Sequence, residues 1–336
     1  MRIAVDAMGG DYAPREIVQG ALEAVSRFSD VEILLAGIPD KISAFMPSSR
    51  PAAIRIVPCR EVVDMGESPV EAIRRKKDSS LRRIFELTAA GETDAAISAG
   101  NTGATVAAAT MLLRPLEGCK RPGIAADFPS TKGHTVVIDV GANIMPRPWH
   151  LLQYGIMAQV FAREVMGIAQ PSVGILNVGT EEEKGTDLVK AARGLLEHHV
   201  AGFVGSVEGR DIYNGAVDVV VCDGFVGNAL LKATEGFASY FTSHLLESLG
   251  QEAGDNGGAS ASRLSEVIKK IDYTEYGGAP LLGVDKATII SHGSSNAKAI
   301  ANAIRVARDF GARQVNRLIV EALAEVEEPG EREGGG

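Results

Sequence analysis

Arg2-Ile3-Ala4-Val5-Asp6-Ala7-Met8-Gly9-Gly10-Asp11 opens the chain: an apolar, β-branched run that ends on an aspartate and turns on two glycines. The pattern returns four times, as Ile97-Ser98-Ala99-Gly100-Asn101-Thr102-Gly103, Ile138-Asp139-Val140-Gly141-Ala142-Asn143, Val221-Cys222-Asp223-Gly224-Phe225-Val226-Gly227-Asn228 and Ile290-Ser291-His292-Gly293-Ser294-Ser295-Asn296. Each loop opens a helical stretch, so each unit reads as strand, loop, helix. In a parallel α/β sheet the carboxyl ends of the strands share one edge, and loops of this kind converge on one crevice. Glycine lets backbone N–H groups approach a ligand, and helix N-termini favour anions. The crevice is therefore expected to take a small, phosphate-like anion.

Between these units lie further strands near 31–36, 54–58, 172–178 and 203–207, alternating with helices near 14–28, 80–90 and 149–165. The alternation predicts an α/β fold, a doubly wound, Rossmann-like layered sheet. Ser68-Pro69-Val70-Glu71 reads as a capping box with proline at the first helical position, and Asp78, Ser79 and Ser80 can cap a continuation. One segment breaks the rhythm: the apolar stripe Phe237, Tyr240, Phe241, Leu245, Leu249, a Gly/Ser/Ala-rich linker, and a second stripe Leu264, Val267, Ile268, Ile271. It predicts a protruding amphipathic hairpin over 237–277. Residues 1–326 thus read as a single catalytic domain, and the charged, Gly-rich 327–336 as a disordered tail.

A chain of 336 residues can bury a large core, and 5% aromatics with 38 glycines suit tightly packed α/β units. The net charge of −9 argues against general nucleic-acid affinity. Basic residues nevertheless cluster at Arg74-Arg75-Lys76-Lys77, followed by Arg82-Arg83. Cys59, Cys119 and Cys222 are far apart, which points to a reducing compartment and no zinc site. The chain begins without a basic start and apolar run, and no apolar stretch is long enough to span a bilayer, so a cytoplasmic location is expected.

No Gly-x-Gly-x-x-Gly follows the first strand, and no P-loop, His-Glu-x-x-His or Gly-x-Ser-x-Gly occurs. Lys184, in Glu181-Glu182-Glu183-Lys184-Gly185, is either a solvated lysine in a charge run or a cation for phosphate or a developing oxyanion. His292, in a Gly/Ser loop after an apolar strand, is less suited to core filling and fits an acid, base or oxyanion donor. Asp139, Asn143 and Asn228 bracket glycine turns, which Asp and Asn also build for their own sake. Cys222, ending an apolar strand, reads as a buried small residue.

Taken as an ordered set, these loops resemble the bacterial phosphate acyltransferase (PlsX) family. The resemblance runs along almost the whole chain: Asp6 to Asp11, Arg74 to Ser80 (Arg-Arg-Lys-Lys-Asp-Ser-Ser), Ser98 to Gly103, Asp139 to Asn143, Lys184-Gly185, Cys222 to Asn228 and Ser291 to Ser295. It implies transfer of a long-chain acyl group from acyl carrier protein to inorganic phosphate. The acyl phosphate formed is used in phospholipid synthesis by a membrane glycerol-3-phosphate acyltransferase. It further implies a fold like the isocitrate and isopropylmalate dehydrogenases, a homodimer, and peripheral association with the membrane surface, and no cofactor or metal is expected. The sequence departs from the family at Ile144-Met145, where Val-Asp is frequent, and at Asp127-Phe128.

Phosphate is already a nucleophile, so such an enzyme must hold it, stabilise an oxyanion and help the thiolate leave. On this reading Lys184, His292 and Asn228 are the catalytic candidates. Asp6, Gly9, Gly10, Asn101, Thr102, Gly103, Asp139, Asn143, Ser291, Ser294, Ser295 and Asn296 are the candidates for phosphate and substrate binding. Arg74, Arg75, Lys76 and Lys77 form the candidate dock for an acidic carrier. Two competing readings are an isocitrate-type oxidoreductase, which should show metal-binding aspartates and a cofactor loop, and a non-catalytic membrane adaptor that uses the hairpin alone.

Overall fold

The computed structural model describes residues 1–252 and 277–326. In chain order its elements are β1 (Arg2–Asp6), α1 (Arg15–Arg27), β2 (Glu32–Gly37), α2 (Pro39–Ser43), β3 (Ile54–Pro58), α3 (Pro69–Arg75), α4 (Ser80–Ala89), β4 (Ala95–Ser98) and α5 (Thr102–Leu112). Next come β5 (Gly123–Ser130), β6 (Gly133–Ile138), α6 (Pro148–Glu164), β7 (Val173–Leu176), α7 (Asp187–His199), β8 (Phe203–Val207), α8 (Gly209–Asn214) and β9 (Val219–Val221). The last are α9 (Gly224–Glu252), β10 (Ala279–Leu282), β11 (Ala287–Ile290), α10 (Ala297–Ala312) and α11 (Val315–Ala324).

Among the described residues the strands form one sheet of eleven, in the order β3-β2-β1-β4-β11-β10-β5-β6-β9-β7-β8. The α/β class is as expected. The strands β3, β2, β1, β4 and β11 are parallel, and so are β6, β9, β7 and β8. Between these groups β10 runs antiparallel to both β11 and β5, and β5 antiparallel to β6. Three reversals set the second group against the first, which corrects the expectation of one shared carboxyl edge. The loops after β1, β4 and β11 leave one edge of the sheet, and those after β6 and β9 leave the other. They still approach one another, because β10 is only four residues long, roughly 10 Å of extended chain.

Strand residues alternate between two cores, as the period of two requires. Ile3, Val5, Ile33, Leu35, Ile97 and Ile289 pack with α1, α6 and α10 on one face, while Ala4, Leu34, Ala36 and Ala96 pack with α3, α4 and α5 on the other. Burial on both faces is why these strands read as nearly continuous apolar runs. Ser79 caps α4, its hydroxyl accepting from the Arg82 N–H, as the sequence indicated. The capping box at Ser68 does not form, since the Ser68 side chain makes no cap hydrogen bond.

Phe237, Tyr240 and Phe241 belong to α9, which begins at Gly224. The expected second arm of the hairpin and the expected tail at 327–336 lie outside the described residues. No described helix is long and apolar enough to cross a membrane.

Candidate active site

The first loop is held from within. Asp6 is buried; its carboxylate accepts from the Met8 N–H at 3.1 Å and the Ser98 hydroxyl at 2.9 Å. Burial pushes the Asp6 carboxyl up, opposed by those hydrogen bonds. A side chain at Gly9 would meet Asp6 Oδ2 at 2.6 Å and the Gly100 nitrogen at 2.7 Å, so only glycine fits the approach of these two loops. Gly10 meets the third: the Asp11 N–H donates to the Gly293 carbonyl at 2.7 Å. Asn101 caps α5, accepting from the Ala104 N–H, and its amide donates to the Met65 carbonyl at 2.8 Å. Gly103 packs against Pro69.

Asp139 behaves likewise. Fully buried, it accepts backbone N–H groups of Ile124, Gly141, Ala142 and Asn143 at 2.6–3.1 Å. Asn143 donates to the Pro122 carbonyl and the Tyr154 hydroxyl. Asn296 caps α10 through the Ala299 N–H. Asp6, Asn101, Asp139, Asn143 and Asn296 are candidates for substrate binding. In the structure each spends its side chain on its own scaffold, the alternative that Asp and Asn turns always carry.

Other candidates do come together. A cleft of about 130 Å³ is lined by Thr102, Asn228, Ser291, His292 and Ser295, with three residues the sequence reading missed: Leu231, Lys232 and Glu235. These three follow Asn228 on α9 at i+3, i+4 and i+7, one face of a helix. That spacing was a visible signal. The cleft floor is apolar, formed by Ile124 and Ala126 of β5, Val140 and Ile290. Larger cavities exist, among them one of about 410 Å³ near Met1, Lys286 and Arg308 at the amino ends of β1 and β11, but they gather none of the loop residues.

His292 is fixed on both sides. The Ser294 N–H donates to its Nδ1 at 3.2 Å and the Ser294 hydroxyl lies 2.7 Å from the same nitrogen. An Nδ1 that accepts puts the neutral ring's proton on Nε2. Nε2 faces Glu235 Oε2 at 3.4 Å, and Lys232 Nζ donates to that oxygen at 2.8 Å. Burial pushes the Glu235 carboxyl up, but its partners His292 and Lys232 outweigh this and hold it below the ordinary carboxylate range. Ser291 is 3% exposed, and its hydroxyl has no partner among the described residues. A buried hydroxyl left unpaired at a cleft wall is a group available to a ligand.

Lys184 is not part of this lining; it is half exposed and bonds Glu181 at 2.7 Å. Of the basic cluster, Lys76 is tied inward to the Val62 carbonyl and the Glu67 carboxylate, and Arg75 pairs with Glu71 at 2.8 Å. Arg74 and Lys77 stay exposed. Cys222 is buried, and burial pushes its thiol well above the ordinary range, so it is the packed small residue expected and not a nucleophile.

The groups of this cleft are the carboxylates of Glu235 and Asp127, the cationic or donor side chains of Lys232 and His292, the donors Thr102, Asn228 and Ser295, an orphan hydroxyl and an apolar floor. They suit anion chemistry on an apolar substrate. Comparison with known proteins agrees. A family model described as Fatty acid synthesis protein matches residues 1–318. A phosphate acyltransferase of Desulfitobacterium hafniense is 50% identical over 313 residues, 92% of this chain and 93% of its own length. One from Geotalea daltonii is 47% identical over 329 residues, 97% and 95% of the two chains. Among solved structures, a phosphotransacetylase from Streptococcus pyogenes shares the fold with a TM-score of 0.56 at 17% identity, covering 96% of this chain and 94% of its own. A 4-hydroxythreonine-4-phosphate dehydrogenase from Klebsiella pneumoniae gives 0.50 at 15% identity, covering 91% and 98%. Identity near one half along nearly the full length decides the matter: the chain belongs to the family of these phosphate acyltransferases.

Proposed function

We propose that the chain moves a fatty acyl group from the thioester of acyl carrier protein to inorganic phosphate, and that the cleft between α9 and the loop after β11 is where this happens. The observation that carries the reading is the juxtaposition of His292, Glu235 and Lys232 with the unpartnered Ser291 hydroxyl above an apolar floor. A phosphate oxygen attacks the thioester carbonyl and the C–O bond forms. The tetrahedral oxyanion collapses, the C–S bond breaks, and the proton of hydrogen phosphate ends on the departing sulfur. Charge and atoms balance, since hydrogen phosphate and thioester give acyl phosphate and thiol.

The chain's own residues supply the rest. His292 Nε2–H donates a hydrogen bond to the oxyanion or the leaving sulfur and keeps its proton, the one on sulfur coming from hydrogen phosphate, with Glu235 holding the ring. Lys232 offsets phosphate charge, Asn228, Thr102, Ser291 and Ser295 offer hydrogen bonds, and Lys184 joins when its loop releases Glu181. No cofactor is needed for this step. The reading extends to one catalytic domain over 1–326, with a layered arrangement of the isocitrate and isopropylmalate dehydrogenase type and a hairpin at 237–277. It further includes a homodimer, a cytoplasmic enzyme resting on the membrane surface, and delivery of the product to a membrane glycerol-3-phosphate acyltransferase. Arg74, Arg75 and Lys77 support docking of an acidic carrier. The test is release of free thiol from palmitoyl-acyl carrier protein: it should rise with phosphate and saturate, and release indifferent to phosphate would sink the reading.

A further inference from the structure

A second cavity of about 340 Å³ lies behind the cleft, with Phe161, Val165, Met166 and Val306 in its walls. Ile124, Ala126 and Ile290, which face the cleft, belong to the core on one side of the sheet, while Phe161 and Val306 belong to the core on the other. Yet Asp127 and Gly278 line both cavities. This shared border is a gap in the pairing of β10 with β5, and it has a local reason. β10 pairs with β5 only at Leu281–Ile124 and Leu282–Gly123, while Ala279 and Pro280 pair with β11 alone. Pro280 has no N–H to extend the ladder toward β5. Gly278, at φ +81°, borders the opening: a side chain there would meet Ser291 Oγ at 2.9 Å and Ile289 Cγ2 at 2.8 Å.

We propose that the hydrocarbon tail of the acyl donor passes from the cleft through this opening beside Gly278, and that the back cavity sets the chain length the enzyme accepts. The inference rests on the acyl-transfer reading and adds where the tail goes. A tail needs an apolar wall close to the reacting carbonyl, and the opening adjoins Ser291, next to His292. The charged groups of the back cavity are paired, Asp127 Oδ2 with His134 at 2.9 Å and Arg305 with Asp309 at 3.4 Å, while Asp127 Oδ1 has no hydrogen-bond partner among the described residues.

The experiment compares kcat/KM for butyryl- and palmitoyl-acyl carrier protein in the wild type, Met166→Trp and Val306→Trp, with thermal melts as the control for folding. Each buried methylene is worth on the order of fourfold in affinity. Filling the back cavity should therefore cut palmitoyl turnover at least tenfold and leave butyryl turnover near the wild-type value. An unchanged butyryl-to-palmitoyl ratio in both folded variants overturns the proposal. Calorimetry with hexadecyl- and butylphosphonate gives a readout that needs no turnover: the wild type should prefer the long chain and the variants should lose that preference. A wild type without thioester turnover would sink the acyl-transfer reading, whereas a wild type that turns over but keeps its ratio in the variants sinks only the tail assignment.

Discussion

His292 Nε2 and Glu235 Oε2 lie 3.4 Å apart across the cleft, although 57 positions separate the two residues along the chain. The relationship joins the loop after β11 to the fourth turn of α9. Ser294 sets the ring's tautomer from behind and Glu235 receives the proton-bearing edge in front, so the ring is held where a substrate can meet it. In that role, Glu235→Gln should cut turnover at least tenfold, part of the roughly 10²–10³ that one preorganised oxyanion donor supplies, with a smaller change in KM for phosphate. Glu235→Asp should recover part of it. Steady-state kinetics checks the split, and equal turnover in all three proteins would remove Glu235 from the mechanism.

The same carboxylate predicts a pH dependence of stability. Its folded-state value is held below the ordinary 4.5, so it binds fewer protons folded than unfolded. The stabilisation is complete above the unfolded value and is lost as pH falls through the folded one. Wild type should therefore melt higher than Glu235→Gln at pH 7, and the gap should close as the pH drops below 4.5. A gap that widens in acid would contradict the assignment.

Two lysines are separable. Lys232 lines the cleft and Lys184 does not in this conformation. Lys232→Ala should raise KM for phosphate and lower kcat/KM by at least tenfold. Lys184→Ala should lower turnover by a similar factor only if its loop closes over bound substrate. Phosphate titrations of both variants decide between them: a fall in Lys232→Ala alone makes Lys184 the solvated surface residue.

The basic cluster divides as well. Arg74→Glu should raise KM for acyl carrier protein most at low ionic strength, because steering between exposed charges is screened by salt. Lys76→Ala should instead lower stability by about 1 kcal/mol, since it removes a bond to the Val62 carbonyl and one to Glu67 at a partly exposed site. Salt-dependent kinetics and denaturant melts separate the two effects.

What was legible in the sequence follows from local physics. The five strand-to-loop turns and most helices were readable, because each is written in contiguous residues. Strands β5 and β10 were not. Gly123-Ile124-Ala125-Ala126-Asp127-Phe128-Pro129-Ser130 carries glycine, an aspartate and proline, and Gly277-Gly278-Ala279-Pro280-Leu281-Leu282 reads as a turn. Both become strands only because neighbours supply partners, and with them went the reversal of the sheet. At the site, His292, Asn228 and Ser291 were visible as loop residues facing a crevice. Lys232 and Glu235 follow Asn228 at i+4 and i+7, a helical spacing the sequence shows but that reads equally as a solvated helix face. Asp6 and Asp139 stay ambiguous in the sequence because an aspartate that ties its own turn has the same signature as one that binds substrate.

The central claim is that this cleft carries acyl transfer to phosphate. The most direct measurement follows thiol release from palmitoyl-acyl carrier protein while phosphorus-31 NMR follows the acyl phosphate, with and without phosphate, in wild type and His292→Ala. The account predicts one acyl phosphate per thiol, no thiol release without phosphate, and at least a tenfold fall in a folded His292→Ala. Thiol release without phosphate, or a wild-type rate in His292→Ala, would contradict it.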